Sequence, residues 1–157
     1  MTELVEFKSL DISQKEMVLS WRNDESVRMW MYNQDVITWD KHLSFIEGLK
    51  EDTSKRYFLV REDERDIGVI DLCQITKESA HGGLYQNPAL KGFGRVLLGE
   101  MIAFSFVKLG VEKLYLEAFE ENKRALKLYE KMGFIEVKSA IFNTKKLISL
   151  ELKNENS

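Results

Sequence analysis

Two hydrophobic periods alternate along this chain and predict a mixed α/β domain, a mostly antiparallel central sheet of about seven strands flanked by helices. Short β-rich runs of period two recur between apolar stripes at i, i+3, i+4 and i+7. The elements come in the order strand, helices, three-strand meander, helix, strand, helix, two strands. The 157 residues are 44% hydrophobic and 31% charged, which suits one sizeable core. One proline, Pro88, and the lack of a Gly/Ser linker or repeat leave 1–157 as a single expected domain.

Residues 4–10 alternate as a strand. Ser13 with Glu16 forms a capping box, Ile12 and Met17 are spaced to staple that turn, and the helix runs to Trp21-Arg22-Asn23. A short amphipathic stretch over 26–32 and a helix over 39–49 follow. Residues 57–60 and 67–72, joined by the polar turn 61–66, read as an antiparallel hairpin, and a third strand covers 79–85. The apolar run 94–109 is a helix ended by Gly110, and 111–119 alternates as a strand. Residues 122–132 carry Ala125, Leu128, Tyr129 and Met132 on one stripe, with Gly133 as the stop. Strands over 134–141 and 147–152 complete the order, and their apolar edge offers a surface for a homodimer.

Composition excludes several functions. With 23 basic and 26 acidic side chains the net charge is −3, so no global field draws the chain to nucleic acid or an anionic membrane. No apolar run approaches the roughly 20 residues of a membrane span, and the start Met1-Thr2-Glu3 lacks a secretory signal, so a cytoplasmic location is expected. One cysteine, Cys73, and two distant histidines, His42 and His81, are too few for a structural zinc site, so no metal is expected.

The stretch Tyr85-Gln86-Asn87-Pro88-Ala89-Leu90-Lys91-Gly92-Phe93-Gly94-Arg95 joins a strand end to a long helix. A helix N-terminus offers unpaired N–H groups and partial positive charge, and glycines let a pyrophosphate approach closely, so this loop reads as an anion cradle. It lacks the Lys-Ser/Thr ending of a P-loop and the third glycine of a dinucleotide fingerprint. A glycine turn that merely permits tight packing has the same appearance. One helix and one strand later comes Asn122-Lys-Arg-Ala125-Leu-Lys-Leu128-Tyr129-Glu-Lys-Met-Gly133-Phe134.

Together the two motifs resemble the Gcn5-related N-acetyltransferase superfamily, in which a Q/R-x-x-G-x-G/A loop binds acetyl-coenzyme A and an N-x-x-A-x-x-L-Y-x-x-x-G-F segment follows. Ala89 stands where the family usually has Gln or Arg, which removes one side-chain donor and keeps the backbone cradle. Trp21-Arg22-Asn23 resembles the branch holding ribosomal-protein and sugar-amine acetyltransferases. Within it, His42-Leu-x-Phe-Ile46, Tyr57-Phe-Leu-Val60, Ile67-Gly-Val-Ile-Asp71, Ile75-Thr76-Lys77 and Gly83-Leu-Tyr85 are similar in order and spacing to the N-acetyltransferases of pseudaminic acid biosynthesis. Those enzymes acetylate the 4-amino group of a UDP-linked 4-amino-4,6-dideoxy sugar on the way to flagellin glycosylation.

The resemblance implies acetyl-CoA as cosubstrate and direct attack of an amine on its thioester. Cosubstrate contacts fall on Leu84, Tyr85, Leu90, Lys91, Gly92, Phe93, Gly94, Arg95, Asn122 and Leu128. Tyr129 is expected to protonate the departing thiolate, although a core tyrosine has the same spacing. Glu117 shares a strand face with Tyr115 and Phe119, and reads either as the proton acceptor or as a solvent-facing residue. Arg22, His42, Thr76, Lys77 and Tyr85 are expected on the acceptor side, with Arg22 on a diphosphate or in a salt bridge to Asp24 or Glu25. A ribosomal-protein-type N-terminal acetyltransferase and a non-catalytic acyl-CoA sensor remain alternatives.

Overall fold

The computed structural model describes residues 1–155. Its sheet has the strand order β1-β2-β3-β4-β5-β7-β6, from β1 (Thr2–Glu6), β2 (Arg56–Glu62), β3 (Arg65–Cys73), β4 (Ser79–Gln86), β5 (Lys113–Phe119), β6 (Ile135–Phe142) and β7 (Lys145–Lys153). All neighbours are antiparallel except β4 and β5, which run parallel, so the expected mostly antiparallel seven-stranded sheet is what forms.

The helices are α1 (Ile12–Asn23), α2 (Glu25–Arg28), α3 (Trp39–Leu49), α4 (Gly94–Ala103) and α5 (Lys123–Lys131). Helices α4 and α5 cover one sheet face over a core that includes Ile70, Leu72, Leu97, Leu98, Met101, Leu114 and Leu116. Helices α1 and α3 cover the other through Phe7, Leu10, Val18, Trp21, Ile46, Leu59 and Val69. Each such side chain contributes about 1.5–3 kcal/mol by leaving water.

The chain departs from the sequence expectation where packing overrides pattern. The first strand ends at Glu6 and a 3₁₀ turn spans Phe7–Ser9, because Phe7 and Leu10 are both buried against α1 and α3. A strand puts residues three apart on opposite faces, whereas a 3₁₀ turn brings them together. With Leu10 anchored, the helix starts sooner. The capping box is therefore Asp11 with Gln14, the Gln14 N–H donating to Asp11 Oδ1 at 2.8 Å and the Asp11 N–H to Gln14 Oε1 at 3.0 Å, not Ser13 with Glu16. Ile12 is 65% exposed and staples nothing.

The hairpin turns are shorter than expected. Asp63 and Glu64 (φ 50° and 68°) close β2–β3, and Asn143 and Thr144 (φ 47° and 68°) close β6–β7. Helix α4 continues as a π-helical turn, Phe104–Leu109, and Gly110 at φ 69° ends it as anticipated.

What positions a site is the junction of β4 and β5. Their parallel pairing runs from Ser79 opposite Lys113 to Gly82 opposite Leu116 and stops there. Beyond it β4 stays with β3 and β5 stays with β7, so a wedge opens between Gly83–Gln86 and the end of β5. Two glycines mark its apex. A Cβ on Gly82 would lie 2.3 Å from Met101 Sδ on the α4 side, and one on Gly83 would lie 2.7 Å from Asp71 Oδ2 on the other.

Candidate active site

The α4 side of the wedge is built mainly from backbone. Gln86, at the end of β4, folds the glycine loop over itself: its Oε1 accepts the Phe93 N–H at 2.7 Å and its Nε2 donates to the Leu90 carbonyl at 2.6 Å. Asn87 pins the loop base by donating through Nδ2 to the Asp66 carbonyl (3.0 Å) and accepting the Ala89 N–H (3.0 Å). Gly92 takes φ 83°, a conformation in which a Cβ is strained. No side chain caps α4, so its first N–H groups and positive dipole end face the loop, a geometry suited to phosphate. Leu90, Phe93 and Leu128 pack on the core beneath, Lys91 and Arg95 are exposed, and Leu84 and Tyr85 lie on the part of β4 that pairs with β3 and no longer with β5. Leu84, Tyr85 and the loop residues 90–95 thus adjoin one wedge.

Asn122 begins α5 and its Oδ1 accepts the Ala125 N–H at 3.3 Å. Tyr129 is buried at 7% exposure, its ring 6.2 Å from Phe134, and no hydrogen bond among the described residues engages its hydroxyl. Burial, reinforced by the nearby charge of Asp71, pushes its phenol up to about 12. It therefore stays protonated at neutral pH and free to donate.

The opposite side is built from side chains. A cavity of about 430 Å³ is lined by His81, Tyr115, Glu117, Val137, Lys138, Ser149 and Glu151. Strand alternation puts Glu117 there as expected, with Leu114, Leu116 and Ala118 buried on the other face. Its Oε1 accepts from the Tyr32 hydroxyl at 2.7 Å and its Oε2 from the Ser149 hydroxyl at 3.1 Å. His81 stacks on Tyr115 with ring centroids 5.1 Å apart, and burial holds its imidazole below the usual range, hence neutral.

Trp21-Arg22-Asn23 has a role that its pattern concealed. Trp21 is buried in the core, while Asn23 bonds residue 37 from both ends of its amide, Nδ2 to the Ile37 carbonyl and Oδ1 from the Ile37 N–H, each at 2.8 Å. Arg22 Nη2 donates to the Asn33 carbonyl at 2.8 Å. These bonds draw residues 29–38 across the sheet and deliver Tyr32 to Glu117. The salt bridge to Asp24 or Glu25 does not form. Arg22 Nη1 is buried with no hydrogen-bond partner, and burial lowers the guanidinium's affinity for its proton.

The other expected acceptor residues are dispersed. His42 is buried between α1 and α3, its Nε2 2.9 Å from the Lys15 carbonyl, so its ring is committed to joining two helices. Thr76 Oγ1 accepts the Glu78 and Ser79 N–H groups and shapes the β3–β4 turn, where Lys77 is exposed. Tyr85 faces the α1/α3 side beside Arg22, its phenol pushed up by burial.

Sequence reasoning passed over one group. Asp71 lies on β3 between Tyr57 of β2 and Gly83 of β4, on the α1/α3 face. Burial raises its carboxyl to about 6, and the Cys73 thiol, 3.6 Å from Oδ1, is its hydrogen-bond donor. Cys73 itself is pushed up to about 11 by burial, which leaves it a thiol. The available signal was an acid within the apolar run Ile67-Gly-Val-Ile-Asp-Leu72.

Comparison with known proteins places this geometry in context. Residues 4–135 match the Acetyltransferase (GNAT) domain family. Acetyltransferase PseH of Campylobacter jejuni is 40% identical over 134 residues, 85% of either chain. The crystal structure of that organism's N-acetyltransferase PseH in complex with acetyl coenzyme A superposes with a TM-score of 0.83 and 34% identity, over 99% of this chain and 100% of the other. The spermidine N-acetyltransferase of Vibrio cholerae, crystallised with CoA and spermine, shares the fold at a TM-score of 0.87 and 22% identity, over 97% and 95% of the two chains. The wedge between two parallel strands, the looped helix start beside it and these matches together place the chain in the GNAT acetyltransferase family.

Proposed function

We propose that this protein is a cytoplasmic enzyme that transfers acetyl from acetyl-CoA to the 4-amino group of a UDP-linked 4-amino-4,6-dideoxy-N-acetyl-altrosamine, a step of pseudaminic acid biosynthesis for flagellin glycosylation. The observation that carries the acceptor class is Arg22, a guanidinium on the acceptor side with a buried, unpartnered Nη1 and no carboxylate. A diphosphate brought to that side meets a guanidinium charge that the Asn33 carbonyl alone leaves unneutralised. A polycation such as spermidine leaves that buried charge unrelieved. The likeness to PseH of Campylobacter jejuni points the same way.

In this reading the backbone of the glycine loop and the α4 start hold the pyrophosphate of acetyl-CoA. Leu84 and Tyr85 align pantetheine and polarise the carbonyl through their N–H groups. Tyr129 gives its proton to the thiolate as the C–S bond breaks. Glu117, which forms no ion pair among the described residues, gives the cavity a carboxylate for an ammonium group. The exposed apolar residues of the edge strand β6, among them Ile135 and Ile141, support a homodimer.

The test is thiol release from acetyl-CoA with the UDP-4-amino sugar, spermidine and a ribosomal N-terminal peptide as acceptors. Turnover on the sugar is expected, with Tyr129→Phe lowering kcat by about 10²–10⁴-fold. Turnover on the peptide or spermidine alone discards the sugar, and tight acyl-CoA binding without turnover on any amine indicates a sensor.

A further inference from the structure

We propose that Asp71 is the catalytic base, the group that takes the proton from the acceptor's ammonium before its nitrogen attacks the thioester. This rests on the N-acetyltransferase reading above and specifies its missing proton acceptor. Three observations carry it. The first is position: Asp71 pairs with Gly83, the first residue of β4 past its last pair with β5, so its carboxylate lies at the apex of the wedge. The second is contact with the strand that bounds the wedge. Because residue 83 has no side chain, Oδ2 rests against the β4 backbone, in space that a Cβ would enter to within 2.7 Å.

The third is its surroundings. No ion pair among the described residues includes Asp71, and its one hydrogen bond comes from a weak thiol donor. The groups that feel its charge are Tyr57 on β2, Cys73 on β3, Tyr85 on β4, Tyr129 on α5 and Tyr32 from the 29–38 segment, all neutral at physiological pH. A carboxylate held among phenols without a cation is a better base than one stabilised by donors, and its raised affinity for protons fits that use. Glu117 differs. Both its oxygens accept from hydroxyls and it is exposed at the cavity rim, which suits drawing in and orienting the ammonium.

The proton balance closes. Asp71 takes one proton from the ammonium and later releases it to solvent. The nitrogen forms a bond to the thioester carbon as the C–S bond breaks, and Tyr129 protonates the sulfur. The second proton lost from nitrogen replaces the one that Tyr129 gave. Net, ammonium and acetyl-CoA become amide, CoA thiol and a released proton.

The experiment is the pH profile of kcat/KM for the wild type, Asp71→Asn and Glu117→Gln, with acetyl-CoA affinity measured by calorimetry. The wild type is expected to lose activity below about pH 6, and Asp71→Asn to lose roughly 10²–10⁴-fold at pH 7 with unchanged acetyl-CoA affinity. Its residual rate then climbs until the amine itself deprotonates, whereas Glu117→Gln retains the limb near pH 6. If Asp71→Asn does not fold, Gly83→Ala, which displaces the carboxylate without removing it, is expected to give the same loss of kcat with acetyl-CoA affinity held. Asp71→Asn with wild-type rate and limb, or a limb abolished by Glu117→Gln instead, overturns the proposal. Should the sugar fail as acceptor while another amine turns over, the acceptor assignment falls and the same variants are compared on that amine. An enzyme that turns over no amine overturns both.

Discussion

On the α4 side of the wedge the walls are backbone: a loop arched by Gln86, a glycine at positive φ and an uncapped helix start. On the α1/α3 side they are side chains delivered by separate elements, Arg22 from α1, Tyr57 from β2, Asp71 from β3, Tyr85 from β4 and Glu117 from β5. The first side sits on an apolar core and presents mainly backbone groups. The second leaves charges without ion partners, Arg22 and Asp71, separated by tyrosines. Both sides bury apolar side chains, but only the second also leaves charges unpaired, and local destabilisation accompanies them.

The contrast can be broken most forcefully in the core. Leu116→Ala, at a position only 1% exposed on the α4 face, is expected to cost about 2–5 kcal/mol in denaturant unfolding while leaving the ranking of acceptors intact. On the other face the sign reverses. Asp71→Asn is expected to stabilise the protein by about 2 kcal/mol at pH 7–8, because the native carboxyl holds its proton up to about pH 6 and the unfolded one only to about 4. Between those values the native state binds the extra proton, so wild-type stability falls as pH rises from about 4 to about 6 and is flat above. The variant should lack that fall in thermal melts across the range. A loss of stability at pH 8 instead would mean that the carboxylate is held by partners.

The smallest effect sharpens the comparison within the backbone side. Gly92→Val puts a β-branched residue at φ 83° and a side chain in the cradle. It should raise the KM for acetyl-CoA about tenfold and change the KM of the acceptor little, as initial-rate kinetics with each substrate varied will show.

The difference between the two sides also explains what was legible beforehand. The glycine loop before a helix and the stripe holding Tyr129 are short-range features, each encoded within about a dozen consecutive residues, and both form where the sequence reading places them. Asn122, read as the first residue of that second helix, instead caps it. The resemblance puts His42 on the acceptor side. Its hydrogen bond to the Lys15 carbonyl depends on how α1 and α3 pack, which no local pattern states. Asp71 was overlooked because one acid in an apolar strand is not a motif. Its meaning lies in β2 and β4 on either side of it.

The sequence by itself determined the α/β class, most of the elements and the glycine loop at the start of α4, because hydrophobic periodicity, helix capping and glycine conformation act between near neighbours. Only the tertiary structure decided the register at which β4 leaves β5, why Trp21-Arg22-Asn23 holds the 29–38 segment over Glu117, and which carboxylate lies against Gly83 without an ion partner. Those facts depend on strand register and on contacts between residues as far apart as Tyr32 and Glu117, whose pairing is fixed by packing rather than by spacing along the chain.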